Sequence, residues 1–257
     1  MPKEKKVNHY RITLFVVLLN LVLTSAIASA TDLYWYLAAS MIKPGKQIVK
    51  LFNNDEHPFQ VILITAGSGQ LLAKISSSRK GDLYTPAAMN YVRYVEKIDL
   101  LGSVVPLVVQ TPVFALSASG KQKINSWDDL TTPGIRIGLG NSKTMALGKS
   151  YENIKEKMGE QLTGQIAANK VVEGVNVGQI VNYLKTDIID AGIAFDTTAK
   201  ASNLNYISIP AGYNHQETAP LIRLKSQENS GNTTLFTEFI LAKIAIFEEY
   251  GFMAAGR

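Results

Sequence analysis

Residues 59–78 read FQVILITAGSGQLLAKISSS, and the order of features in this stretch decides the fold class. Phe59 to Thr65 is an almost unbroken apolar run, the pattern of a strand buried on both faces of a parallel sheet. Gly67-Ser68-Gly69 breaks the run, and Gln70 to Ser78 continues as a helix. A strand, a tight polar turn and a helix make one step of an alternating α/β chain.

The alternation extends in both directions. Leu33 to Ala39 reads as an apolar, aromatic strand. Lys43 to Asn54 follows as a helix, with Ile48, Leu51 and Phe52 at helical spacing and Pro44 tolerable in the first turn. Asp82 to Ala87 is a short strand and Ala88 to Ile98 a helix. Ser103 to Ser117 is long, β-rich and interrupted by Pro106 and Pro112, so it reads as a crossing between two lobes. Ser126-Trp127-Asp128-Asp129 has the shape of a capping box. Ile135 to Leu139 is a strand, Ala146 to Met158 and Glu160 to Asn169 are helices, and Val177, Ile180, Val181 and Leu184 mark an amphipathic helix. Asp190 to Phe195 is a strand, Ala211 to Gln216 a loop, and Thr218 to Leu224 a β-like second crossing. Leu235 to Tyr250 is the last helix, stopped by Gly251. The expected architecture is α/β, with two lobes whose central sheets are mostly parallel. Residues 31–110 plus 221–257 would form lobe one and residues 111–220 lobe two.

The N-terminus has the three parts of an export signal. Lys3, Lys5, Lys6 and Arg11 form a basic region, Ile12 to Leu23 is mostly apolar, and Ala28-Ser29-Ala30 supplies small residues for cleavage after Ala30. Residues 1–30 are therefore expected to be a signal peptide, and the mature protein periplasmic or otherwise extracytoplasmic. The chain has no cysteine, so it has no site for a lipid on Cys and no need of oxidative folding. Residues 1–30 hold four Lys/Arg and one Glu, so the net charge falls from +5 to +2 on their removal. No long basic run or basic-aromatic interleaving suggests nucleic acid.

Enzyme motifs fail one by one. A nucleophile elbow would need glycines at Ala66 and Gln70, and a P-loop ending at Gly148-Lys149-Ser150 would need one at Lys143. His57 and His215 stand beside loop signals as surface histidines, and without cysteines a zinc site is not expected. No catalytic residue, metal site or cofactor is assigned. Polar turns remain where strands end and helices begin, at Ala39-Ser40, Gly67-Ser68, Gly140 to Met145 and Asn176-Val177. Helix N-termini converging at the carboxyl ends of strands would bind a dianion without lysine or arginine. Ser40 and Ser68 would add hydroxyls. Each serine is equally explained as a helix cap, and the residues alone leave both readings open.

Ala38-Ala39-Ser40, Ala66-Gly67-Ser68-Gly69 with Leu71-Leu72-Ala73-Lys74-Ile75, Gly81-Asp82-Leu83-Tyr84, Trp127-Asp128-Asp129-Leu130 before Ile135-Arg136-Ile137-Gly138, Asp190 to Phe195 and Phe247 to Phe252 occur in that order. Together they resemble the molybdate- and tungstate-binding proteins of ABC importers, which have the type II periplasmic-binding fold. The resemblance covers the whole chain after residue 30. It implies an oxyanion held in an inter-lobe cleft by serine hydroxyls, backbone amides and one tyrosine hydroxyl. Ser40 and Ser68 would give hydroxyls and amides, Met145 an amide (Ala146 if the register shifts), and Val177 an amide. The tyrosine falls on Phe195, which has no hydroxyl; Thr144 and Asn141 are nearby in sequence. The implied partners are the oxyanion and a membrane permease, and the protein is expected to act as a monomer. Three alternatives stand beside this reading. The first is another anion (sulfate, phosphate or a small organic acid), a carboxylate calling for an arginine fork from Arg136 or Arg223. The others are a sensor or scaffold without transport, and a hydrolase using Ser68.

Overall fold

A computed structural model describes residues 31–225 and 230–256. The proposed signal peptide lies outside the described residues. Among those described, no helix is long and apolar enough to cross a membrane. The chain from Asp32 onward is one compact unit built on two sheets.

The first sheet begins with β1 (Leu33–Ala38), β2 (Val61–Ala66) and β3 (Leu83–Thr85). Between them lie a 3-10 turn (Ala39–Met41), α1 (Ile42–Asn54) and α2 (Ser68–Ser78). A short 3-10 turn at Met89–Tyr91 and α3 (Val92–Lys97) lead into β4 (Leu101–Gln110). After the second sheet the chain returns with β10 (Glu217–Leu224), α9 (Ser230–Ala242), α10 (Ala245–Glu249) and β11 (Met253–Ala254). The strand order is β11-β4-β10-β3-β1-β2.

The second sheet takes β5 (Pro112–Leu116), then α4 (Gly120–Lys123), a 3-10 turn (Asp128–Thr131) and β6 (Ile137–Gly140). The helices α5 (Ala146–Met158) and α6 (Glu160–Ala168) precede β7 (Lys170–Gly174). It closes with α7 (Val177–Lys185), β8 (Ala191–Phe195), α8 (Asp196–Ala201) and β9 (Tyr206–Ser208). The order is β7-β6-β8-β5-β9. The chain thus changes sheets between Gln110 and Pro112, and again between Ser208 and Glu217.

Parallel pairing holds where a helix joins neighbouring strands, at β1–β2, β1–β3, β6–β7 and β6–β8. The strands that carry the chain between sheets pair antiparallel, as β10 does with β3 and β4 and β5 with β8 and β9. Each sheet is therefore mixed rather than mostly parallel, because a returning segment meets its neighbours in the opposite direction.

Burial follows position in the sheet. Every residue of β5 and β8 is buried, as their continuous apolar sequences require. The opening run at 59–65 differs from expectation. Its strand, β2, is the edge of the first sheet, so Ile62 is exposed and most of the strand only half-buried. Helix α2 also begins at Ser68, two residues early, because Gln70 Oε1 accepts from the Gly67 amide and closes the first turn. The long C-terminal helix is two pieces, broken at Lys243-Ile244. Phe236 of α9 meets Trp35 at 5.5 Å and Phe52 at 4.9 Å, and each ring buried this way contributes about 1.5–3 kcal/mol. His57 belongs to this cluster, stacked on Phe52 at 3.8 Å.

Candidate functional site

Ser40, Ser68, Met145, Val177 and Phe195 line one cavity of about 20 Å³, together with Ala38, Ala39, Gly67, Ala87, Ala146 and Leu147. Each reaches it from the carboxyl end of a strand or the start of a helix. The 3-10 turn that follows β1 carries Ala39 and Ser40 and runs into α1. Gly67 and Ser68 join β2 to α2. Met145 precedes α5, and Ala146 and Leu147 open it. Val177 opens α7, whose cap is the Asn176 side chain accepting from the Gln179 amide at 3.1 Å. Phe195 ends β8. Two of these termini come from the first sheet and two from the second. Among the described residues, no charged side chain lines the cavity.

The two serines differ. Ser40 Oγ is buried and has no hydrogen-bond partner among the described residues. Ser68 is buried, and its Oγ accepts from the Ala87 amide at 3.0 Å. That contact occupies a lone pair and leaves the hydroxyl proton free to be donated. Tyr84 Oη donates to the Ser68 carbonyl at 2.7 Å and braces the turn. Neither serine side chain caps its own helix.

Met145 is a correction to the amide expected there. Its N–H donates to the Asn141 carbonyl at 2.9 Å. Asn141 Oδ1 also accepts from the amides of Lys143 and Thr144, so this turn satisfies its own donors before the helix starts. The amides a helix leaves without an intrahelical partner are those of its first turn, and of the first-turn residues Ala146 and Leu147 line the cavity. Asn141 and Thr144 do not line the cavity, so neither takes the place of the hydroxyl missing at Phe195. Phe195 itself is buried and lines the cavity.

The arginines are engaged elsewhere. Arg136 forks onto Asp190 through Nε at 3.1 Å and Nη2 at 2.8 Å, and Lys123 adds a contact at 2.9 Å. Burial pushes the Asp190 carboxyl up, but the Arg136 and Lys123 contacts outweigh it and hold it well below the usual carboxylate range. Arg223 is bound to Thr234 and the Ser230 carbonyl. His215 is half-buried, and its Nε2 meets both Ser150 at 3.0 Å and Glu217 at 2.8 Å. Both contacts use one nitrogen, which is not the geometry of a relay through the ring. Of the two serines at the cavity, Ser68 hydrogen-bonds a backbone amide rather than a base.

The sequence profile of bacterial extracellular solute-binding proteins matches residues 33–253. The chain belongs to that family. Among relatives of this solute-binding protein, a "putative binding protein" of Haemophilus influenzae is 31% identical over 178 residues, covering 69% of this chain and 71% of the relative. The molybdate-binding protein ModA of Mycobacterium bovis is 25% identical over 184 residues, 70% of this chain and 68% of the relative. Among solved structures, the periplasmic molybdate-binding protein of Azotobacter vinelandii superposes with a TM-score of 0.74 at 18% identity, covering 86% of this chain and 99% of that one. The sulfate-binding protein SubI of Mycobacterium tuberculosis gives 0.74 at 16% identity, covering 88% of each. The two structures establish that this solute-binding protein has the type II periplasmic-binding fold.

Sequence reasoning missed Ala87 and Leu147 as cavity residues. Neither carries a polar side chain. An amide donor leaves no residue signature, so only its place at the start of a helix could have marked it.

Proposed function

We propose that this protein captures a fully ionised tetrahedral dianion, molybdate or tungstate, between two lobes and presents it to the permease of an ABC importer. The observation that carries this reading is the buried, unpartnered Ser40 Oγ in an uncharged cavity ringed by four helix N-termini. Each N-terminus carries roughly half an elementary positive charge. Four of them therefore offset about two negative charges, and a lone hydroxyl in such a place needs an acceptor. The cavity suits a compact ion, since one water already needs about 10–15 Å³. Its lining holds no carboxylate to accept a proton from hydrogen phosphate and no arginine to fork a carboxylate. The resemblance to molybdate-binding proteins and the named ModA relative favour molybdate over sulfate.

Ser40, Ser68, Val177 and the amides of Ala146 and Leu147 act as donors in this reading, with the Phe195 ring as an apolar wall. Lobe one is residues 31–110 plus the C-terminal part, and lobe two the middle of the chain; the return falls at 209–216, between β9 and β10. Export follows cleavage after Ala30. Isothermal calorimetry of the protein from Thr31 against molybdate, tungstate, sulfate and phosphate tests the reading. Molybdate and tungstate should bind with one site, sulfate more weakly and phosphate least. Tightest binding of phosphate, or none by any of the four, would end it.

A further inference from the structure

The turn Gly67-Ser68-Gly69 does more than line the cavity. Its backbone is in contact with the second-sheet half of the molecule. The Gly69 amide donates to the Thr144 carbonyl at 2.9 Å. A Cβ on Gly69 would overlap the Lys143 carbonyl oxygen and lie 2.9 Å from Thr144 Cα. A Cβ on Gly67 would lie 2.5 Å from the Thr144 carbonyl oxygen and 2.6 Å from that of Val175. All these atoms are backbone, so no rotamer change relieves the overlap. Gly69 sits in the first turn of a helix, where alanine would otherwise be favoured by about 1 kcal/mol. What excludes a side chain there is the facing half of the molecule.

The same seam is crossed by Lys149 of α5, whose Nζ donates to Tyr94 Oη and lies 4.8 Å from that ring's centre. The Lys149 hydrogen bond, followed by that of Arg93, holds the Tyr94 phenol below its ordinary value. On α1, Lys43 Nζ donates to the Ala201 carbonyl at the end of α8.

We infer that Gly67-Ser68-Gly69 is a backbone latch, in which Gly69 is a positioning residue that sets ligand affinity by allowing the two halves to close and the Gly69–Thr144 bond holds them closed. This rests on the reading of two lobes closing on an anion. Apparent affinity scales with the fraction of molecules able to reach the closed arrangement, so a group that props the halves apart weakens binding without touching the ligand.

The chain has no cysteine, so spin labels at Lys74→Cys on α2 and Glu156→Cys on α5, both exposed, report the distance across the seam by pulsed electron resonance. The unmodified latch should give a short distance that saturating molybdate populates further. Gly69→Ala should lose that short distance, weaken molybdate binding by about tenfold or more, and keep the ligand-free melting temperature. Gly164→Ala, where a Cβ meets nothing, should leave distance and affinity unchanged. Equal short distances in the parent and Gly69→Ala would overturn the latch. If none of the four oxyanions binds the parent, the anion reading fails, and the ligand-free distances still decide. A short component present in the parent and missing in Gly69→Ala supports the latch, and identical distributions overturn it.

Discussion

Ser40 and Ser68 line the same cavity but are bonded differently, and that difference separates affinity from stability. Ser40 Oγ has no partner among the described residues, so under the proposed function Ser40→Ala removes only a contact to the anion. Affinity should fall by about 1.5–3 kcal/mol, roughly 10- to 150-fold, with the ligand-free urea midpoint unchanged. Ser68 Oγ also satisfies the Ala87 amide. Ser68→Ala should lose a similar factor in affinity and, in addition, about 1–3 kcal/mol of stability from the stranded N–H. Calorimetry and urea unfolding on the two variants check both, and equal stability losses would remove the distinction. Phe195→Tyr places a hydroxyl at the cavity wall and should tighten molybdate, read by the same calorimetry. Weaker binding would mean that the cavity has been rebuilt around the phenyl ring.

At the scale of elements, Asp190 ties three segments together at the entry to β8. Its Oδ2 accepts from the Arg136 amide at 2.9 Å just before β6, and Lys123 reaches it from the end of α4. The side chain is fully buried, so Asp190→Asn should cost about 3 kcal/mol. The pH dependence has a definite sign. A carboxyl held below its unfolded value of about 3.9 contributes stability that is complete above that pH. The contribution is lost as the pH falls through the lower folded value. Urea unfolding of parent and variant should therefore differ fully at pH 7 and progressively less below about pH 4. A gap that persists undiminished in acid would assign the effect to packing. Elements that escaped the sequence reading are the short ones. β9 has three residues at a sheet edge, β7 is mostly exposed, and α8 is too short to show helical periodicity.

For the whole molecule, the proposed function couples binding to closure. A ligand that binds only the native state adds about 2.7 kcal/mol at a hundredfold excess over its dissociation constant. Molybdate should therefore raise the melting temperature and reduce the radius of gyration in solution scattering, while hydrogen phosphate should do neither. A rise in melting temperature with no change in radius would mean that the anion binds without lobe movement.

The order of strands and helices along the chain is legible in the amino-acid sequence, because apolar periodicity is local. The first change of sheets, between Gln110 and Pro112, falls inside the stretch marked by Pro106 and Pro112, whereas the second comes earlier than expected, at 209–216, because Thr218 to Leu224 already belongs to β10 of the first sheet. The turns at Ser40, Ser68, Met145 and Val177 could be chosen because helix starts and the resemblance both point to them, and Phe195 through the resemblance alone. Tertiary structure alone decided what depends on neighbours distant in sequence. It put β2 at an edge, where its apolar run is only half covered, and turned the crossing strands antiparallel. It spent the Met145 amide on Asn141 and set Ala146 and Leu147, which open the helix, against the cavity. It also gave the glycines beside Ser68 their reason, since the atoms that forbid a side chain there belong to residues 143, 144 and 175. Local sequence sets which groups each turn offers, and only the packing of one half on the other sets which of them remain unpaired.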